Sequence, residues 1–417
     1  MPRPPPGPLY TLKGDPSPVH SLHFWEKSGN EKLFAGCQSG QVQLWSLQSN
    51  RSVEGLQAHS GPCLNVACHG DNLITQGKGD GNVKSWHSLE GGGWAPSYTI
   101  HTRHSIFCRF SILQAEDGRN PMIVCPDESY SVGVYSLDTG ERLAHLNFED
   151  FTKNSKKFGY IMALKAFSDP RSQQPMLLVA HEGGQLSLRD LVNGGKEMCC
   201  LDVGEPILCL DFDPAEGVGL YGSPEGAQIK KFCVDTKNGT CELGSCTPIT
   251  NPGISSIHFR PDYKIVSTGG WDSRIRIFSW QRSCKSSSQK SEVSAVDDEK
   301  EVIQGQSLDR RVAPSETLVQ PSIADSIDVT SPNLHSDKVS GGSKSEKSLS
   351  PSVSNSVNMM VVPSFRKPMK PLAVLNHHTK AIQCVVYSAG RVESWESSCL
   401  LAAGSNDGGI SLWDLYN

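Results

Sequence analysis

The chain has 417 residues, 37% of them hydrophobic and 20% charged, with a formal net charge of −5. That length allows two average domains or one large all-β domain, with ample apolar material for a core. The slightly acidic balance gives no global electrostatic reason to bind nucleic acid or an anionic membrane, so direct contact with either is not expected.

The opening residues, MPRPPPGPLY, contain no apolar run and do not read as a signal peptide. No stretch approaches the roughly 18 apolar residues of a spanning helix. A soluble intracellular protein is expected. Beyond residue 17 the predicted elements are strands. PVHSLHF, KLFAG and SGQVQLW follow one another and end at Trp45, then SVEGLQAHS. NLITQ and GKGDGNVKSW end at Trp86, DESYSVGVY at Tyr135, and MLLVA with HEGGQLSLR at Arg189. PILCLDF and SPEGAQIKKF end at Phe232, and GISSIHF, IVSTG and GGWDSRIRIF at Phe278. AIQCVVY, LLAAG and GSNDGGISLW end at Trp413. Period-2 alternation between Gly/Asp/Ser turns marks these runs as strands.

The seven aligned residues are separated by 41, 49, 54, 43, 46 and 135 residues, the last interval including an 81-residue Ser-rich segment. A period of about 40–50 residues, with a small polar turn before a strand ending in an aromatic, is the signature of a WD-type β-propeller with four strands per blade. The fold class is therefore all-β, a seven-bladed WD40 propeller. Blade 7 has no fourth strand after SLWDLYN, but PLYTLKG at residues 8–14 is similar to KPLAVLN, the fourth strand of blade 6. The N-terminal strand is expected to close the ring, which leaves no open edge.

Residues 1–282 then carry blades 1–6, with the first strand completing blade 7. Residues 283–363 form a disordered Ser-rich insertion, and 364–417 supply the last strand of blade 6 and blade 7. The insertion has few apolar residues and much Ser, Lys and Glu. By blade topology it leaves from the bottom face. Ser331 and Ser350 precede prolines, and Ser294 has Asp297 at +3, so these three are candidate phosphosites.

Asp80, Asp272 and Asp407 occupy the tight turns between second and third strands of blades 2, 6 and 7. His59 and His378 fall at the bends before blades 2 and 7. A His–Asp hydrogen bond across the blade, with Trp86 or Trp413 nearby, is the expected structural pin. The positions where WD repeats often carry Ser or Thr hold Gln76 and Ala403. In blades 1, 3, 4 and 5 the Asp position reads Ser39, Ser129, Gly183 and Gly226, and chemistry would not be distributed so unevenly. No enzyme is expected, and no catalytic residue, cofactor or metal. The fourteen cysteines include no C-x-x-C pair; they read as buried thiols, and Cys63, Cys68 with His69, or Cys241 with Cys246, do not have zinc spacing. QGKGDGN lacks the phosphate-loop pattern. Arg274 and Arg276 share one strand face and are expected in solvent.

Trp271 precedes the turn Asp of blade 6 and should face the top of the ring. The equivalent residues include Glu128, Glu182 and Glu225 in blades 3–5 and Asn406 in blade 7. An exposed aromatic beside a polar rim is a candidate protein-binding hot spot. The three glutamates form an acidic arc that would suit a basic segment, so a histone-tail reader is the alternative. A ubiquitin-ligase substrate receptor is a further alternative, because WDSR echoes a W-D-x-R box. That box belongs at the end of the third strand, where this chain reads WSLQ, RDLV and WDLY without the required Arg.

TNPGISSIHFRPDYKIVSTGGWDSRIRIFSW, KPLAVLNHHTKAIQCVVYS and LLAAGSNDGGISLWDLY, with SPVHSLHF and SGQVQLWSLQ near the start, resemble one family. It is the guanine-nucleotide-binding protein β-subunit-like protein 1 family, which includes the fungal ASTRA-associated protein 1. The resemblance covers about residues 8–282 and 366–417. It implies a non-enzymatic scaffold, monomeric within a larger ASTRA/Tel2-type co-chaperone assembly. That assembly supports phosphatidylinositol-3-kinase-related kinases and is associated with chromatin regulation. Implied partners are co-chaperone subunits or the large kinases, in cytoplasm and nucleus. No G-protein γ subunit is expected, since only seven, mostly Pro and small, residues precede the first strand.

Overall fold

In the computed structural model, the described residues are 6–14, 17–25, 31–103, 106–114, 120–128, 130–148, 159–282 and 363–415. Their strands form seven four-stranded antiparallel sheets. Ser294, Ser331 and Ser350 lie outside the described residues.

Each sheet is a blade, and its first strand lies innermost. These first strands are Val19–Trp25, Cys63–His69, Ser111–Leu113, Ile161–Ser168, Cys209–Asp213, Ile254–Phe259 and Ile382–Tyr387. Residues of six of them, and Phe107 and Arg109 just before the blade 3 strand, line a central cavity. The burial pattern explains the sequence. Second strands are covered by a neighbouring blade on both faces, so Pro175–His181 and Ile265–Gly270 are buried at every residue. Fourth strands lie outermost, and Arg51–Gln57 is mostly exposed. The apolar clusters form between blades. One joins Trp25, Phe34 and Val42 of blade 1 to Val66, Leu73 and Trp86 of blade 2. Another joins Ile275 and Ile277 of blade 6 to Ile382, Leu401 and Trp413 of blade 7.

The ring closes as a seven-bladed propeller through the N-terminal strand. Tyr10–Lys13 pairs with the third strand of blade 7, Gly409–Asp414, placing Thr11 opposite Ser411 and Leu12 opposite Ile410. Leu12 is 1% exposed and sits in the cluster between blades 7 and 1, with Leu22, Leu33, Trp45, Leu400 and Leu412. The Thr11 hydroxyl and His377 Nε2 lie 2.8 Å apart. A second clasp spans the same joint. Buried Glu31 of blade 1 accepts from the Glu393 backbone N–H at 2.9 Å, and Trp395 Nε1 donates to the Leu47 carbonyl at 2.9 Å.

Blade 3 has the shortest first strand, three residues. Buried Gln76 of blade 2 compensates for the missing ladder. Its amide donates to the Cys108 carbonyl at 3.0 Å and accepts from the Phe110 N–H at 2.9 Å.

The long connection of blade 6 is anchored where it leaves and where it returns. Arg282 forks onto fully buried Asp213 through Nε at 2.7 Å and Nη2 at 2.6 Å, and Trp280 Nε1 donates to the same carboxylate. On the return, Phe365 is buried against Gly244, where a Cβ would stand 2.4 Å from its ring. Ser245 donates to the Lys367 carbonyl at 2.7 Å and Thr247 accepts from the Met369 N–H at 2.8 Å. The chain thus crosses blade 5 before becoming the fourth strand of blade 6, Lys370–Asn376.

Candidate functional site

The turns come first, because they hold the top face in place. In blade 2, His59 Nδ1 lies 2.8 Å from Asp80 Oδ2, its Nε2 lies 2.9 Å from the Thr75 hydroxyl, and Trp86 Nε1 donates to that hydroxyl at 2.9 Å. Blade 7 repeats the series. His378 Nδ1 is 3.1 Å from Asp407, its Nε2 is 2.8 Å from the Ser411 hydroxyl, and Trp413 Nε1 donates to Ser411 at 2.8 Å. Burial pushes both imidazoles below their usual range, against the pull of the aspartates. A neutral ring fits every bond: Nδ1–H donates to the carboxylate, and Nε2 accepts from a hydroxyl that itself accepts from the indole. In blade 7, burial acts to raise Asp407, but hydrogen bonds from the Thr379 and Gly409 N–H groups and from His378 hold it low.

Two sequence expectations are corrected here. The hydroxyls come from Thr75, one residue before Gln76, and from Ser411 on the third strand, not from the positions of Gln76 and Ala403. Arg276 is also not in solvent. It is 4% exposed and forks onto Asp272 at 2.6 and 3.1 Å, while Arg274 stays partly exposed. Blade 6, with no bend histidine, thus pins its turn with an internal ion pair. Burial would raise Asp272, but Arg276 holds it below the usual carboxylate range. Blade 5 uses a third solution, with Lys230 Nζ 2.6 Å from Glu205 at the bend. The turn geometry is kept while its chemistry changes from blade to blade.

Asp407, His378 and Ser411 superficially match the order of a hydrolase triad. Ser411 and Thr75 are each 0% exposed, and neither lines the central cavity. Their hydroxyls already accept an indole N–H, so no substrate carbonyl can reach them. A close approach also fixes the neighbourhood, since a Cβ on Gly77 would stand 2.2 Å from Asp80 Oδ1 and 2.4 Å from His59 Nδ1. Among the described residues, no group of three His, Cys, Asp or Glu side chains could hold a metal ion. No helix among them is long and apolar enough to cross a membrane.

The top face carries the accessible site. Trp271 is 48% exposed, and its ring packs on Gly253, where a Cβ would stand 2.5 Å from Cε3. Gly253 also has φ +86°, a left-handed conformation suited to glycine. The Trp271 N–H donates to the Gly253 carbonyl at 2.9 Å, which fixes the backbone beneath the ring. Trp271 and Asn406 both line a cavity of about 470 Å³ at the mouth of the central channel. Glu128, Glu182 and Glu225 are exposed but do not line it. Glu128 is ion-paired with Arg103 at 3.0 Å, and Glu182 accepts from the Tyr160 N–H at 3.4 Å.

Two cavity residues went unnoticed in the sequence. Phe107, 55% exposed, sits under Lys78, whose Nζ is 3.5 Å from its ring centroid. Arg109 lines the cavity below it. Neither belongs to a repeat motif. The available signal was position, since both immediately precede the irregular first strand of blade 3, where side chains face the channel.

Seven four-stranded blades, Asp turns pinned by His or Arg, and third-strand aromatics define a WD-repeat β-propeller. The family described as WD domain, G-beta repeat matches residues 243–279 and 369–414. The chain is 28% identical to guanine nucleotide-binding protein subunit beta-like protein 1 of Mus musculus, over 99% of this chain and 97% of that one. It is 24% identical to ASTRA-associated protein 1 of Penicillium rubens, over 65% and 76% of the two chains. With the protein of that name from Verticillium alfalfae it shares 25%, over 66% and 73%. The chain is thus a WD-repeat β-propeller similar to guanine nucleotide-binding protein subunit beta-like protein 1 and to ASTRA-associated protein 1.

Proposed function

We propose that the chain is a non-enzymatic scaffold that presents its top face to protein partners within an ASTRA/Tel2-type co-chaperone assembly, in cytoplasm and nucleus. The reading is carried by Trp271, a half-exposed indole on a fixed turn at the rim of a preformed cavity. Preformed sites bind with little ordering cost, and buried aromatics dominate interface energies. The likeness to ASTRA-associated proteins supports the choice of assembly. Partners of this class would be co-chaperone subunits or the large kinases they serve, which links the chain to chromatin regulation.

The test is purification of tagged chain from cells with identification of co-purifying proteins, wild type against Trp271→Ala. Co-chaperone subunits or large kinases are expected with wild type and should be lost with the variant, whose melting temperature stays close to wild type. Unchanged recovery with Trp271→Ala refutes the site. The exposed Glu182 and Glu225 favour a second reading, a basic histone tail across the acidic arc. Histone-peptide binding that depends on these two glutamates would establish it instead.

A further inference from the structure

The throat of the top-face cavity differs in charge from its rim. Arg109 Nη2 donates to the His20 carbonyl of blade 1 at 2.8 Å and to the Gln383 carbonyl of blade 7 at 3.1 Å. The guanidinium therefore extends from blade 3 past blade 2 and across the channel. Among the described residues, its Nε and Nη1 make no hydrogen bond to protein, and no carboxylate is ion-paired with it. The groups that feel its charge include His20, Cys108, Cys209 and Cys384, and Lys78 adds a second cation near His20. Burial, reinforced by those two cations, pushes the His20 imidazole below its usual range despite its hydrogen bond to Gln38. The throat is thus cationic and lacks a counter-ion, and Trp271 and Phe107 supply half-exposed aromatic walls above it.

A cation partly withdrawn from water with donors unused gains most from an anion brought in by a partner. The same charge repels a lysine- or arginine-rich tail from the throat, whatever the rim glutamates attract. Lys78 is engaged on the Phe107 ring and Arg109 is the one arginine lining the cavity, which suits the single charge of a carboxylate, whereas phosphorylated segments are held by clusters of arginines. A cavity of about 470 Å³ has room for a few side chains rather than a folded element.

We propose that the cavity takes an aspartate or glutamate side chain of an extended partner segment, its carboxylate on Arg109 and a neighbouring apolar residue against Trp271 or Phe107. The proposal rests on the scaffold reading and names the chemistry of the partner. It also separates the two charges of the top face: the acidic rim stays outside, and the cationic throat does the selecting.

The test pans the purified full-length chain against a library of random displayed dodecapeptides and measures synthesised winners by fluorescence anisotropy. Winners should share an Asp or Glu beside an aromatic or aliphatic residue. Changing that acid to its amide should weaken binding about tenfold or more, as expected for a charged hydrogen bond, and added salt should weaken it further. Arg109→Gln and Trp271→Ala should each produce a comparable loss. Arg109 also ties blades together, so the melting curve of Arg109→Gln is recorded alongside. If that variant is unfolded, the acid-to-amide change and the salt dependence on wild-type protein decide alone. Basic winners, no winners, tighter binding of a phosphoserine version, or indifference to Arg109 in a folded variant overturns the proposal. Co-purification separates the two readings. Partners kept by Arg109→Gln but lost by Trp271→Ala leave the scaffold standing and remove the carboxylate throat; no partners even with wild type remove the scaffold.

Discussion

Closure of the ring by Tyr10–Lys13 makes Leu12 the most consequential residue of the first strand. Leu12 is 1% exposed among the side chains of blades 7 and 1, whereas Leu9, three residues earlier, is 43% exposed. Truncating a buried leucine to alanine costs about 2–5 kcal/mol, through lost transfer energy and the cavity left behind. Leu12→Ala should fall near the middle, about 3 kcal/mol, and Leu9→Ala within about 0.5 kcal/mol of wild type. The damage should be local before it is global, because the strand is only four residues long. A penalty of about 3 kcal/mol multiplies the population of the opened joint by on the order of 100. Amide hydrogen exchange is the direct assay. Within Gly409–Asp414, the amides of Gly409–Leu412 that face this strand should exchange on the order of 100-fold faster in Leu12→Ala. Amides of the blade 4 second strand, Pro175–His181, should be unaffected. Equal exchange in Leu12→Ala and Leu9→Ala at Gly409–Asp414 would refute closure by this strand.

Thr75→Val keeps the shape of the side chain but leaves His59 Nε2 and Trp86 Nε1 without their shared partner, so denaturant unfolding should show a loss of about 1–3 kcal/mol. Ser411→Ala should do the same in blade 7, whereas Ala403→Ser, at the position read from the repeat pattern, should not restore it. Acid sensitivity should come from His181, which is 2% exposed and pushed down to about 4 by burial, with Arg189 adding to the effect and a backbone hydrogen bond opposing it. Because the unfolded imidazole takes its proton near pH 6.5 and the folded one only near 4, stability is intact above about 6.5 and falls between these values. His181→Gln should flatten the pH dependence of unfolding in that window by an amount on the order of 3 kcal/mol. An unchanged slope would mean the ring is reached by solvent and titrates normally in the fold.

Much of this architecture was legible because a propeller repeats itself. Trp45, Trp86, Phe278 and Trp413 recur at the same point of each blade, and the match between residues 8–14 and the fourth strand of blade 6 gave away the closure. Asp80, Asp272 and Asp407 could be placed because a tight turn constrains spacing. The partners of those aspartates were harder to read. Along a strand each residue reverses direction, so a shift of one separates Thr75, which meets His59, from Gln76, which crosses to blade 3. Arg274 and Arg276 do share a face, but only the second is buried, in a fork onto Asp272. Alternation alone does not reveal that pairing. Arg109 and Phe107 escaped because a channel is built from seven distant segments, and nothing local marks the residue that reaches across it. Spacing also could not show that Glu128 of the acidic arc is ion-paired with Arg103.

The top-face site is most directly tested by a photo-crosslinking amino acid installed in cells at the position of Trp271, with a second chain carrying it at Lys370 on the outer strand of blade 6. Adducts to co-chaperone subunits or their large kinases from the Trp271 position alone are the expected result. Adducts from Lys370 only, or the same adducts from both positions, would contradict recognition through the mouth of the channel.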